Sequence, residues 1–208
     1  MDPRRRRGDR ARPRIGDTLK TIVYLHGFIS SPQSAKAVMM GDYVSRCVTG
    51  VDYRVPELHH RPSMAVRQIE DLCAGVATED LTLVGSSLGG FYATVLAEKT
   101  GCRVALLNPA VHPHAHFHKY LGPQENLYSG EAFELTQEHV EELRSLDPAA
   151  ITRPERYWLF VETGDEVLDY REAVAYYAGA LQEVVQGGDH ALVSFPEHIP
   201  DIVDWAAH

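Results

Sequence analysis

Three cysteines in 208 residues are too few and too scattered to form a scaffold. Cys47, Cys73 and Cys102 are odd in number and lack the paired spacing of a zinc site, which excludes a disulfide framework and leaves them to be read as buried thiols. Long apolar runs are also missing. No stretch approaches the roughly eighteen residues of a membrane span, and the arginine-rich start lacks the apolar segment of a secretory signal. The chain therefore reads as soluble and cytoplasmic, with no membrane partner.

Positive charge is scarce outside one segment. Residues 1–14 carry seven of the 20 Lys and Arg, which leaves 13 basic against 27 acidic residues from Ile15 onward. A body so acidic repels polyanions, so nucleic acid is excluded as a partner of the folded part. Residues 1–18 are charged, Pro-containing and aperiodic, and read as a disordered tail ahead of one domain over 19–208.

From Thr21 onward, short apolar runs alternate with helical stretches, the pattern of βα units around a parallel sheet. Strands are expected at Thr21–Leu25, Val51–Val55, Leu81–Gly85, Arg103–Leu107, Tyr157–Glu162 and Glu183–Gln186. Several are continuously apolar, as strands covered on both faces are. Helices are expected from Pro32, with Ser30 and Ser31 as its cap, to about Cys47, and over Pro62–Ala77, Leu88–Lys99, Tyr170–Leu181 and Pro196–Ala206. The fold class is α/β of the α/β-hydrolase type, a mostly parallel sheet of about six strands with helices on both faces. The interval from about 109 to 155 is too long for a simple crossover and reads as a lid over the carboxyl ends of the strands, with a turn at Gly122 and Pro123 and a helix near Thr136–Leu146.

The chemistry centres on Gly85-Ser86-Ser87-Leu88-Gly89, a G-x-S-x-G pattern between an apolar strand and a helix. A nucleophile elbow needs small residues two positions either side of the serine, so Gly85 and Gly89 leave Ser87 exposed on a sharp turn. A serine hydroxyl needs a base, and the base an orienting acid, in the chain order Ser, acid, His. Asp165 and His190 follow the right strands for these roles. Asp165 is preferred to its rivals because Asp169 reads as a helix cap, Glu166 should point away from its neighbour, and Asp189 adjoins His190, where consecutive side chains diverge. His26 and Gly27 sit after the first strand, where they shape a loop. The backbone N–H of Phe28 in that loop, with that of Leu88, forms the expected oxyanion hole. His112, His114, His116 and His118 alternate and would share one face of an extended segment, but hydrolysis already has a complete apparatus without metal, so neither metal nor cofactor is invoked.

Beyond the elbow, Leu25-His26-Gly27-Phe28 with Ser30-Ser31-Pro32 and Ser34-Ala35-Lys36, then VGSSLGGFYAT, LNPAV, the stretch KYLG..EN.Y.GE, TGDEVLDYREAVAYY and GGDHA, resemble the bacterial YqiA-type esterases of the α/β-hydrolase superfamily. The resemblance runs from about Thr21 to the carboxyl terminus and has no counterpart for residues 1–18. It implies an esterase acting on short acyl esters or acyl thioesters, with Ser87, Asp165 and His190 as triad, and it places Tyr120, Asn126 and Tyr128 in the lid as acyl contacts. Two rival readings stand beside it: an acyl-CoA thioesterase, and a non-catalytic protein that holds an acyl ligand on a hydrolase scaffold.

Overall fold

A computed structural model describes residues 19–207; the tail expected at 1–18 lies outside the described residues. The chain runs β1 (Lys20–Leu25), α1 (Ala35–Cys47), β2 (Val51–Arg54), α2 (Pro62–Cys73), β3 (Leu81–Ser86), α3 (Leu88–Thr100) and β4 (Arg103–Leu107). It continues through β5 (Gly122–Glu125), β6 (Ala132–Leu135), α4 (Gln137–Leu146), β7 (Tyr157–Glu162), α5 (Tyr170–Tyr176), β8 (Leu181–Val185) and α6 (Phe195–Ala207). Six strands form one sheet in the order β2-β1-β3-β4-β7-β8, with every neighbouring pair parallel.

The continuous apolar runs have the expected cause. Successive side chains of a strand point to opposite faces, so Val23 and Leu25 of β1 enter one core while Ile22 and Tyr24 enter the other. In β4, Val104 and Leu106 face the first core and Ala105 and Leu107 the second. The first core is closed by α2, α3, α4 and α5, the second by α1 and α6. This split follows from handedness. The chain steps from β1 outward to β2, then back past β1 to β3, and right-handed crossovers in opposite directions place α1 and α2 on opposite faces. The connections that leave the carboxyl ends of β1 and β3, which stay paired through Leu25 and Gly85, therefore run to opposite faces and open a crevice there. Among the described residues no helix is long and apolar enough to cross a membrane.

Several elements differ from the sequence expectation. Helix α1 starts at Ala35 rather than Pro32, because the Ser31 hydroxyl accepts the N–H of Gln33 and its carbonyl accepts that of Ser34, which makes residues 31–34 a turn. Helix α5 stops at Tyr176; Gly179, at φ 90°, turns the chain so that β8 begins at Leu181, two residues before the expected strand. Gly122 and Pro123 are not a turn but the first arm of an antiparallel hairpin with β6, whose turn lies at 126–131. Cys47 is exposed at the end of α1, Cys73 is half-buried, and only Cys102 is a fully buried thiol. Of the long interval between β4 and β7, α4 is the crossover helix, with Val140 and Leu143 in the core. The β5–β6 hairpin stands over the carboxyl ends of the strands, and its Gln124, Leu127 and Tyr128 border the cavity described next.

Candidate active site

Ser87 occupies the turn between β3 and α3 with φ 53° and ψ −120°, a backbone conformation that L-residues avoid. Two glycines make room for it. A Cβ at Gly85 would stand 2.5 Å from the Gly89 carbonyl oxygen, and one at Gly89 would strike the Leu25 carbonyl of the neighbouring strand. The turn is pinned by the strand beyond, since the Ser87 N–H donates to the Leu107 carbonyl at 3.1 Å and the Ala110 N–H donates to that of Ser87 at 3.0 Å. Strain held in place by surrounding bonds is characteristic of a working site.

His190 Nε2 lies 3.1 Å from Ser87 Oγ, and its Nδ1 lies 2.8 and 3.0 Å from the two carboxylate oxygens of Asp165. With a neutral ring, Nδ1–H donates to Asp165 and Nε2 accepts the serine proton. Asp165 is fixed in turn: its Oδ1 accepts the N–H of Val167 and of Leu168, each at 2.9 Å. Burial pushes this carboxyl up, but the hydrogen bonds from His190, Leu168 and Val167 outweigh it and hold the group below its ordinary value. The structure thus brings together the three side chains that the sequence singled out, from the ends of β3, β7 and β8.

The rival acids fall elsewhere. Asp169 caps α5 by accepting the N–H of Arg171. Asp189 Oδ1 accepts the N–H of Ala191 at 2.8 Å, turned away from the imidazole of its neighbour. Glu166 Oε2 accepts the His190 backbone N–H at 3.0 Å, so it supports that loop rather than the imidazole.

His26 is buried at 3% exposure and braces the loop after β1. Its Nε2 accepts the Leu58 N–H at 3.1 Å, which leaves the proton on Nδ1 to donate to the Gly27 carbonyl at 2.9 Å. Burial holds its pKa down. Gly27 lets this loop approach the serine, since a Cβ there would sit 3.3 Å from Ser87 Cβ. Phe28 and Leu88 both border the cavity above Ser87, and the Leu88 N–H, in the first turn of α3, has no intrahelical carbonyl to reach.

That cavity measures about 860 Å³, and Ser87 and His190 lie in its wall. The ring of Phe28 lies 5.1 Å from Phe117, 5.8 Å from Tyr120 and 6.1 Å from Phe133, an aromatic cluster that joins the loop after β1 to the excursion after β4. Tyr120 and Tyr128 line the cavity. Asn126 instead borders a smaller cavity of about 170 Å³ behind Phe28, and its amide donates to the Ser30 carbonyl. Leu127 and Tyr128, 77% and 51% exposed, form an apolar lip. The alternating histidines do not share a face, because two short 3₁₀ turns at Pro113–Ala115 and Phe117–Tyr120 coil the segment. His112 and His114 Nδ1 both approach Asp147, at 2.8 and 2.9 Å, while His116 faces Glu172. Among the described residues no group of three or more His, Cys, Asp or Glu is arranged to hold a metal ion.

Sequence reasoning passed over Asn108, Glu162 and Lys36, all of which bond to the loop that carries His190. The one signal for Glu162 is a carboxylate closing a strand that is otherwise apolar on both faces.

Sheet order, elbow and cavity together define an α/β-hydrolase fold. Solved structures agree. A protein of Agrobacterium vitis S4 superposes with a TM-score of 0.73 at 18% identity, covering 95% of this chain and 91% of its own. The alpha/beta hydrolase domain-containing protein 10 from mouse gives 0.66 at 16%, covering 89% and 90%, and Est1E from Butyrivibrio proteoclasticus gives 0.64 at 14%, covering 92% and 87%. Within that fold the chain belongs to the family described as "Uncharacterised protein family (UPF0227)", whose model matches residues 21–207, the YqiA family that its motifs resemble. A UPF0227 protein of Pectobacterium carotovorum is 25% identical over 166 residues, 79% of this chain and 85% of that protein. One from Klebsiella pneumoniae is 28% identical over 94 residues, 45% of this chain, and the match spans about half (52%) of that relative's length.

Proposed function

We propose that this protein is a serine hydrolase that cleaves carboxylic esters through an acyl-enzyme. The observation that carries the reading is the continuous chain Ser87 Oγ, His190 Nε2, His190 Nδ1 and Asp165, set on a strained elbow at an apolar cavity. His190 takes the Ser87 proton as the hydroxyl oxygen attacks the ester carbonyl, and Asp165 holds the ring and stabilises its cation. The N–H groups of Phe28 and Leu88 receive the oxyanion, a contribution worth about 10²–10³ in rate per donor. His190 then protonates the leaving alcohol. A water molecule, activated by the same histidine, attacks the acyl-serine, and the acid departs as Ser87 recovers its proton.

Short-chain acyl esters are the simplest substrates for this apparatus, and the residues around Ser87 act without a cofactor. Tyr120 and Tyr128 contact the acyl or alcohol portion from the hairpin side. The test is turnover of p-nitrophenyl butyrate by wild type and Ser87→Ala. Loss of turnover in a variant with unchanged melting temperature supports the reading, and equal turnover overturns it. A scaffold that only holds an acyl ligand would bind the ester without releasing nitrophenol.

A further inference from the structure

Glu162, the last residue of β7, is completely buried, and among the described residues no lysine, arginine or histidine forms an ion pair with it. The Lys36 ammonium is close enough to feel its charge, but a carboxylate in a core is costly unless its oxygens are filled by hydrogen bonds. They are filled by one loop. Oε2 accepts the N–H of Asp189 at 2.7 Å and of Val193 at 3.1 Å, and Oε1 accepts that of Ser194 at 2.8 Å. These three amides bracket His190.

The other side of the loop is held by Asn108, which follows β4 with φ 41°. Its Oδ1 accepts the Glu162 N–H at 3.0 Å, and its Nδ2 donates to the carbonyls of Asp189 at 3.0 Å and His190 at 3.3 Å. Lys36 Nζ adds a bond to the Ala191 carbonyl at 2.7 Å. Two features show that the loop is built around the carboxylate. Gly188 has φ 71°, and a Cβ on it would strike the Glu162 side chain. Leu192 is kept at φ 58°, a conformation unfavourable for leucine that needs support from outside.

We propose that Glu162 and Asn108 are positioning residues whose clasp on the 189–194 backbone sets the His190 ring at the distance and angle needed to exchange a proton with Ser87. Neither touches the reacting atoms. The inference rests on the hydrolase reading above. An apolar residue would fill the end of β7 at lower cost, but it could not gather three amides from one loop. Proton transfer tolerates little misplacement, and an error near 1 Å costs about 100-fold.

The test compares wild type, Glu162→Gln and Asn108→Ala with p-nitrophenyl butyrate, measuring kcat, KM and Tm. Glutamine retains one oxygen for the Asp189 and Val193 amides but turns its NH₂ toward that of Ser194. The expected result is a fall in kcat of about 10- to 100-fold with KM within about twofold. A lowered kcat at constant KM and unchanged Tm is the readout that a merely structural role would not give. Folded Glu162→Gln with wild-type kcat overturns the proposal. If that variant does not fold, Asn108→Ala decides: lowered kcat at constant KM supports the clasp and unchanged kcat rejects it. Failure of both to fold makes the two residues structural and overturns it as well. The hydrolase reading fails separately, through an inactive wild type or an active Ser87→Ala.

Discussion

The side-chain amide of Asn126 donates to the backbone carbonyl of Ser30 at 2.9 Å, across 96 positions of sequence. Its other end organises the hairpin tip, since Oδ1 accepts the N–H of Tyr128 and of Ser129. The Leu127 N–H adds a bond to the Ile29 carbonyl at 3.2 Å. The hairpin and the loop after β1 are thus one structure, and Ile29, at φ 47°, is held by it. Asn126→Ala removes bonds worth about 1 kcal/mol each at a partly exposed site. Steady-state kinetics should show kcat/KM lowered by roughly 5- to 10-fold, the equivalent of about 1–1.4 kcal/mol, with Tm lowered by about 2–4 °C for each kcal/mol of lost bonding.

Glycines at the elbow and on the surface should respond differently to one added methyl. At Gly89 the Cβ meets backbone of β1 and the following loop, which cannot yield without moving the sheet. Gly89→Ala should cost at least about 2 kcal/mol in urea unfolding. Gly75 has φ 82° with open space around its Cβ, so Gly75→Ala pays only for backbone strain, about 1–2 kcal/mol, and should keep full activity.

His26 gives a pH dependence whose sign is fixed by its burial. Burial lowers its folded pKa below the unfolded value near 6.5. Between the two values the unfolded chain binds more protons, so stability rises with pH there. The contribution is fully present above about pH 6.5 and is lost as pH falls through the lower folded value. Protonation also abolishes the bond from the Leu58 N–H to Nε2. Thermal melts from pH 8 to pH 5 should show a smaller drop in Tm for His26→Gln than for wild type.

Asp165→Asn keeps the shape of the site but presents an amide to His190 Nδ1, which favours the wrong tautomer. A loss of about 10³–10⁴ in kcat is expected, measured with p-nitrophenyl butyrate at neutral pH. Activity within tenfold of wild type would show that another acid serves the imidazole.

Much of this was readable from sequence because each cause was local. Five strands lie within a residue of their expected bounds at either end, and for β1, β3, β4 and β7 the cause is that strands buried on both faces must be largely apolar; β2, VDYR, is only half-buried. Ser87, Asp165 and His190 were legible because the elbow needs nearby glycines and because sites of this fold gather after strands. What escaped was set at a distance. The value of Glu162 depends on amides 27 to 32 residues further on, which no local pattern announces. The early start of β8 depends on Gly179 turning the chain, and Gly122-Pro123 read as a turn although partners in β6 make it a strand.

Whether His190 makes Ser87 a nucleophile can be read with a fluorophosphonate probe. Such a probe reacts with an activated serine, so digestion and mass spectrometry of the labelled protein locate the adduct. A single adduct on Ser87 is expected in wild type, with labelling of folded His190→Ala slowed by at least about 10³-fold. An adduct on another residue, or equal labelling of His190→Ala, would contradict it.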